Sequence, residues 1–293
     1  MNTISQNDRR SGRLLSAFGA AAFGLGWFWF NGGSTAIDPT SLSWCMKDDL
    51  GQHVLGWLFF RKEPWALPVG NLSSLLHPLS TTIGLTDSNP LFSLLLKPFS
   101  ALLPVDFQFI GIWLALCFAL QGFFGARLAS LFSDRPVHQL LAGAVFTLAP
   151  PLLHRVNHDT LCAHWLVLAL IWLGLAPAGD RRTATRHGLW AVALATLASI
   201  VHPYLGAMTI PLALAALARM RLADGSLGTA RALGLALLTI GLPLAVFAAF
   251  GHFSSEVTRG AGGFGYFSAN LLTFFNPMGW SRVLPTLEAG SVQ

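Results

Sequence analysis

Carboxylates and imidazoles recur at four separated places in the sequence: Asp48 and Asp49 with His53 close behind, Asp87, the stretch His154, Arg155, Asn157, His158 and Asp159, and His202. Brought together, acids from separate loops beside an imidazole and an arginine can bind a divalent cation, activate a hydroxyl as general base, and neutralise a phosphate leaving group. No Gly-rich nucleotide fingerprint, zinc spacing or nucleophile elbow accompanies them, so the chemistry rests on placement.

Each residue also has a plain structural reading. Asp49 can cap a helix running to Lys62, with Gln52 completing a capping box. Asp49 and His53 are four apart and share a face of that helix, whose Leu50, Val54, Trp57, Leu58 and Arg61 recur at helical spacing, as in an amphipathic helix lying on a membrane. Asp87 fits an Asx turn, since Asn89 and Pro90 already provide the cap and first residue of the next helix. Asp159 or Asn157 can cap a helix beginning near Leu161. His202-Pro203-Tyr204 reads as a turn between two apolar runs. His164, next to Trp165, reads as a satisfied interfacial histidine.

The elements that must position these residues are membrane helices. Of 293 residues, 53% are hydrophobic and only 11% charged, where soluble domains carry about 25% charged residues. A soluble enzyme is excluded. The net charge of +5 does not point to nucleic acid, because the arginines lie in short clusters between apolar runs. Cys45, Cys117 and Cys162 have no metal-ligand spacing and imply no disulfide framework.

An all-α membrane bundle of seven crossings is predicted, over about 14–30, 108–130, 137–153, 161–177, 188–201, 204–218 and 232–250. Arg9, Arg10 and Arg13 place a cytoplasmic tail at 1–13, although Ser34-Thr35-Ala36 also fits a signal-peptide cleavage site. The short run from Pro90 to Pro104 is read as an interfacial or re-entrant helix with Lys97 snorkelling to the headgroups, because only then do the arginine clusters at 127–135, 181–186 and 219–231 share the cytoplasmic side. A module spanning 14–251 follows, with an outer loop at 31–107 and an outer aromatic, Gly-rich segment at 252–293. Glu256, Arg259 and the stretch from Phe264 to Phe275 are expected to form another interfacial helix or part of an acceptor-binding region. The candidate residues then converge at one outer mouth.

One crossing, a long outer loop with an acid and interfacial helices, two crossings and a short acidic outer loop together resemble the GT-C superfamily of membrane glycosyltransferases. Gln52-His53-Val-Leu-Gly-Trp57-Leu-Phe-Phe-Arg61, Thr86-Asp87-Ser-Asn-Pro-Leu91, Phe107-Gln108-Phe-Ile-Gly-Ile-Trp113, Leu120-Gln121-Gly122, His164-Trp165 and Asn276-Pro277 look more closely like an uncharacterised bacterial membrane family distantly related to it. The resemblance implies a sugar donor on a polyprenyl phosphate, an acceptor in the periplasm or envelope, and residence in the bacterial inner membrane. It maps Asp49, or its neighbour Asp48, to the first acid as base or metal ligand, and Asp159 with His158 to the second. Asp87 becomes a supporting acid, His53 a proton or metal partner, and Arg61 or Arg155 a phosphate clamp, with Lys97, His202 and Tyr204 also at the substrate. A divalent cation, Mg or Mn on Asp49 and Asp159, is the one cofactor the set allows. Superfamily members usually continue into further crossings, so an end at Gln293 is expected to cut the acceptor region short. A transporter or lipid-handling protein, or a non-catalytic membrane assembly partner, are the alternatives; ionisable groups at mid-membrane depth and paired broken helices, which transport favours, are scarce here.

Overall fold

The computed structural model describes residues 6–253, 276–277 and 281–286. The chain divides into two units, Met1–Ser255 and Glu256–Gln293. In the second, Ser281 Oγ accepts the backbone N–H groups of Val283 at 3.1 Å and Leu284 at 2.8 Å; Glu256, Arg259 and the 264–275 stretch lie outside the described residues.

The first unit is helical. In chain order it has α1 (Gln6–Phe28), α2 (Ser34–Ala36), α3 (Asp48–Phe60), α4 (Pro90–Leu96), α5 (Ile110–Ala129), α6 (Pro136–Thr147), α7 (Pro150–Leu153), α8 (Trp165–Leu175), α9 (Arg181–Val201), α10 (Pro203–Leu222) and α11 (Thr229–Ala249), with a two-residue hairpin pairing β1 (Asn71–Leu72) and β2 (Thr81–Thr82) antiparallel. Five stretches are long and apolar enough to cross a membrane: Ser11–Ala36, Ile110–Ala129, Arg181–Val201, Pro203–Leu222 and Thr229–Ala249. The protein is therefore a helical membrane protein.

Two of the expected crossings are shorter than their apolar runs. The run at 137–153 yields a 12-residue α6 and that at 161–177 an 11-residue α8. Pro150 and Pro151 disfavour helical geometry just ahead of them and end α6, while Ala176 turns to extended backbone before Pro177. The 90–104 run forms only α4 and a single 3₁₀ turn at Lys97–Phe99, too short to span. Asn89 caps α4 by accepting Phe92 N–H at 3.3 Å, and Pro90 supplies the first turn, where its missing N–H costs nothing.

Packing joins α1 to α5 and α6, α5 to α8, α8 to α10, and α9 to both α10 and α11. Backbones meet closely where glycine allows it. A Cβ on Gly24 of α1 would run into the Phe118 carbonyl of α5, a contact that small residues make possible between membrane helices. The faces of α3 divide: its Leu50, Val54 and Trp57 are buried in the main core with Trp113, Leu114 and Leu166, while Leu55 and Phe59 stay exposed. The loops at the far ends of α5, α8 and α10 and the start of α1 gather the arginines. Arg13 pairs with Asp134 at 2.6 Å, Arg127 lies over the Trp172 ring, and Arg219 pairs with Asp224 at 3.2 Å. At the opposite end α8 begins, α9 passes into α10, and α11 finishes.

Candidate functional site

Three carboxylates and three imidazoles pair there across distant parts of the chain. Asp159 Oδ1 lies 2.5 Å from His53 Nδ1, Asp49 Oδ2 lies 3.3 Å from His158 Nε2, and Asp87 Oδ1 lies 3.0 Å from His202 Nε2. The rings of His53 and His158 are 6.3 Å apart, which makes the first two pairs neighbours. Asp49 and His53, expected to act together along one face of α3, each take a partner from the 158–159 loop instead.

The pairs differ in depth. Asp159 is 1% exposed and His53 2%, whereas Asp49 is 63% exposed and His158 38%. Trp113 of α5 fixes the buried pair by donating its indole N–H to the Asp159 carbonyl at 2.8 Å. Asp159 Oδ2 and the Thr160 hydroxyl are buried with no partner among the described residues. His202 caps α10: its Nδ1 accepts Tyr204 N–H at 3.0 Å, so the ring proton sits on Nε2 and faces Asp87. Tyr204 is exposed and stands edge-on to His202 at 4.9 Å.

Asp87 reaches His202 because its backbone is left-handed, with φ of 54°, a conformation that Asp and Asn adopt more readily than other side chains. Its turn is held by a Thr86–Ser88 hydroxyl bond of 2.8 Å and by Ser93 Oγ donating to the Ser88 carbonyl at 2.6 Å. Gly56 of α3 lets this turn approach, since a Cβ there would overlap the Ser88 and Thr86 hydroxyls. Gly56→Ala is therefore expected to displace the turn and destabilise the protein by about 1–3 kcal/mol. In a melting comparison, Gly51→Ala is the neutral control, because its added Cβ would meet only an ordinary 3.4 Å contact at Met46.

Burial is the largest influence on His53 and works against its protonation, but the Asp159 bond and the charges of Asp159, Asp87 and Asp49 outweigh it, so its pKa is raised from 6.5. Burial likewise pushes the Asp87 carboxyl upward, and is outweighed by the His202 bond and the charges of His202, His53 and His158, leaving it below 3.8. The sign of each linkage follows. The His53 contribution to stability is complete below 6.5 and is lost as pH rises through its raised folded value; that of Asp87 is complete above 3.8 and is lost as pH falls through its lowered one. Melting temperature measured against pH is expected to fall on the alkaline side in the native protein. In His53→Gln that limb should flatten.

Other candidates lie elsewhere. Arg61 is buried, and its guanidinium donates to the carbonyls of Pro104 at 2.6 Å, Ser100 at 2.7 Å, Leu103 at 3.0 Å and Val105 at 3.4 Å. It is a strut for the loop ahead of α5, with both terminal nitrogens of the guanidinium committed to backbone carbonyls and not to the mouth. Lys97 is buried rather than snorkelling: Nζ sits 3.8 Å from the Phe60 ring centre and 4.6 Å from that of Trp65, cation–π contacts that compensate for lost water. Asp48 has a left-handed backbone, with φ of 49°, and α3 begins without a side-chain cap, so the expected capping box is absent. Asp48 joins none of the three pairs. Arg155 is exposed in the loop beside His158, close enough for its charge to act on Cys162 and His164.

The two expected cation ligands, Asp49 and Asp159, are engaged by different histidines. Among the described residues no group of three or more His, Cys, Asp or Glu side chains is gathered to hold a metal. Asp49 and Asp159 thus stand in separate acid–histidine pairs, an arrangement that can pass a proton. Composition and spacing gave no sign of His252, whose ring packs where a Gly84 Cβ would stand and whose pKa is lowered by burial and by His202. The same holds for the positioning part of Trp113, although it closes the Phe107–Trp113 motif.

A family model described as "Domain of unknown function (DUF6311)" matches residues 21–293. No curated protein and no solved structure matches the chain.

Proposed function

The chain belongs to the DUF6311 family, and from that premise and the geometry of its acid–histidine mouth we propose that it is a GT-C-like glycosyltransferase, moving a sugar from a polyprenyl-phosphate donor to a hydroxyl acceptor in the bacterial envelope. The observation that carries the reading is an exposed carboxylate, Asp49, 3.3 Å from His158 and backed by the buried Asp159–His53 pair. Asp49 takes the acceptor hydroxyl proton and His158 accepts it in turn. The acceptor oxygen forms a bond to the anomeric carbon as the bond from that carbon to the phosphate oxygen breaks, and the phosphate leaves with the electron pair. Arg155 meets its charge. Asp87 and His202 hold the start of α10 at the mouth, where Tyr204 offers an exposed ring to a sugar face.

In this reading the five long helices together with α6 and α8 make seven crossings of the inner membrane, with the arginine end and the amino terminus in the cytoplasm. The mouth then opens outward at headgroup depth, where a lipid-linked phosphate lies. The test is incubation of the purified full chain with radiolabelled polyprenyl-phosphate sugars and a mixture of envelope acceptors. A labelled product that depends on the protein is expected; absence of turnover with every donor tried would end the proposal in favour of transport or an assembly role.

A further inference from the structure

The opposite end of the bundle carries a second site. A cleft of about 740 Å³ is lined by Arg181, Arg182, Arg186 and Arg231 together with Thr185 and Leu189. Arg231 donates to the Thr185 hydroxyl at 2.9 Å, which ties the start of α11 to α9 and holds the cleft's two walls together. One carboxylate, Asp180, lies close to Arg182, but its oxygens are taken by the N–H groups of Arg182 and Thr183 and by the Thr183 hydroxyl. Four arginines therefore line a cleft that has no carboxylate in its lining among the described residues.

A smaller cavity of about 250 Å³ shares Arg186 with the cleft and continues along α9 between Phe124, Trp172 and Trp190. Two buried polar atoms on its walls, Trp172 Nε1 and His187 Nδ1, have no partner among the described residues. An indole N–H can only donate, so leaving it buried and unsatisfied carries a penalty that a bound acceptor would remove.

We propose that this end binds an anionic phospholipid, with its phosphate among the arginines of the cleft and its ester oxygens and the start of an acyl chain in the aromatic cavity. A free inorganic anion would satisfy the arginines but would leave the aromatic cavity and the indole N–H without a partner. A zwitterionic lipid would fill the cavity but bring no net charge to four guanidiniums. Basic pockets between membrane helices bind such headgroups by this combination of charge and apolar lining. The site lies a full length of α9 from the acid–histidine mouth and stands whether or not sugar is transferred there.

The experiment is native mass spectrometry of the full chain released from neutral detergent, titrated separately with phosphatidylglycerol, phosphatidylcholine and inorganic phosphate. One phosphatidylglycerol is expected to be retained in preference to phosphatidylcholine. Arg182→Gln with Arg231→Gln should weaken its retention about thirty-fold. Trp172→Phe, which keeps the ring and removes only the donor, should weaken it about five-fold, and this variant decides the matter if the double variant does not fold. Equal retention of the two lipids, unchanged retention in Trp172→Phe, or displacement of the lipid by inorganic phosphate at similar concentration would each overturn the proposal.

Discussion

Replacing Asp49 by Asn is expected to lower sugar transfer by roughly 10²–10⁴-fold while leaving the melting temperature of the solubilised protein unchanged. The two effects separate because Asp49 is 63% exposed and its one ion-pair partner, His158, is itself partly solvated. An amide keeps the shape but loses the negative charge, and with it the capacity to take a proton and the ion pair with His158. Asp159→Asn is the informative contrast. There the carboxylate is buried against His53, and breaking a buried pair from one side costs about 3–5 kcal/mol, so stability should fall together with activity. The measurement is initial rate with a labelled lipid-linked donor, alongside a melting curve for each variant. Normal turnover in Asp49→Asn would remove it as base, and a large loss of stability there would show that its role is structural.

Arg61→Lys is expected to destabilise the protein by about 3–5 kcal/mol despite keeping the charge. The guanidinium spreads its donors over four carbonyls between Ser100 and Val105. An ammonium is a single point with three donors and cannot reach that arc, so buried carbonyls lose partners, each worth about 1–3 kcal/mol. This loop leads into α5, whose Trp113 positions Asp159. Hydrogen exchange over residues 99–108 should rise sharply in Arg61→Lys. Protection equal to that of the native protein would show that the loop is held by something else.

Much of the scaffold was legible in the sequence, and the reasons are specific. Apolar length reveals α1, α5, α9, α10 and α11, and the Asn89-Pro90 pair marks the start of α4 through chemistry that is entirely local. The convergence of Asp49, His53, Asp87, His158, Asp159 and His202 also follows, because threading places their loops at one end. What could not be read is which atoms meet. The i, i+4 spacing of Asp49 and His53 suggests partnership within a helix, but both turn to the 158–159 loop, whose path is set by the Trp113 indole. The burial of Arg61 and Lys97 is illegible for a related reason. A cation's charge is visible in the sequence, whereas the carbonyls and aromatic rings that make its burial tolerable come from segments whose proximity no local pattern records.

The shortness of α6 bears on how a membrane-bound substrate would be met. Twelve residues rise about 18 Å, against a hydrocarbon layer of about 30 Å. The Pro150-Pro151 pair interrupts the apolar run, the four-residue α7 follows, and the next long element is the 11-residue α8. His158 and Asp159 therefore stand on a short connection between two abbreviated helices, not at the tips of full-length ones. In the proposed reading, such a connection lets a long-chain isoprenoid keep its tail in the oil while its head meets the acids from the side.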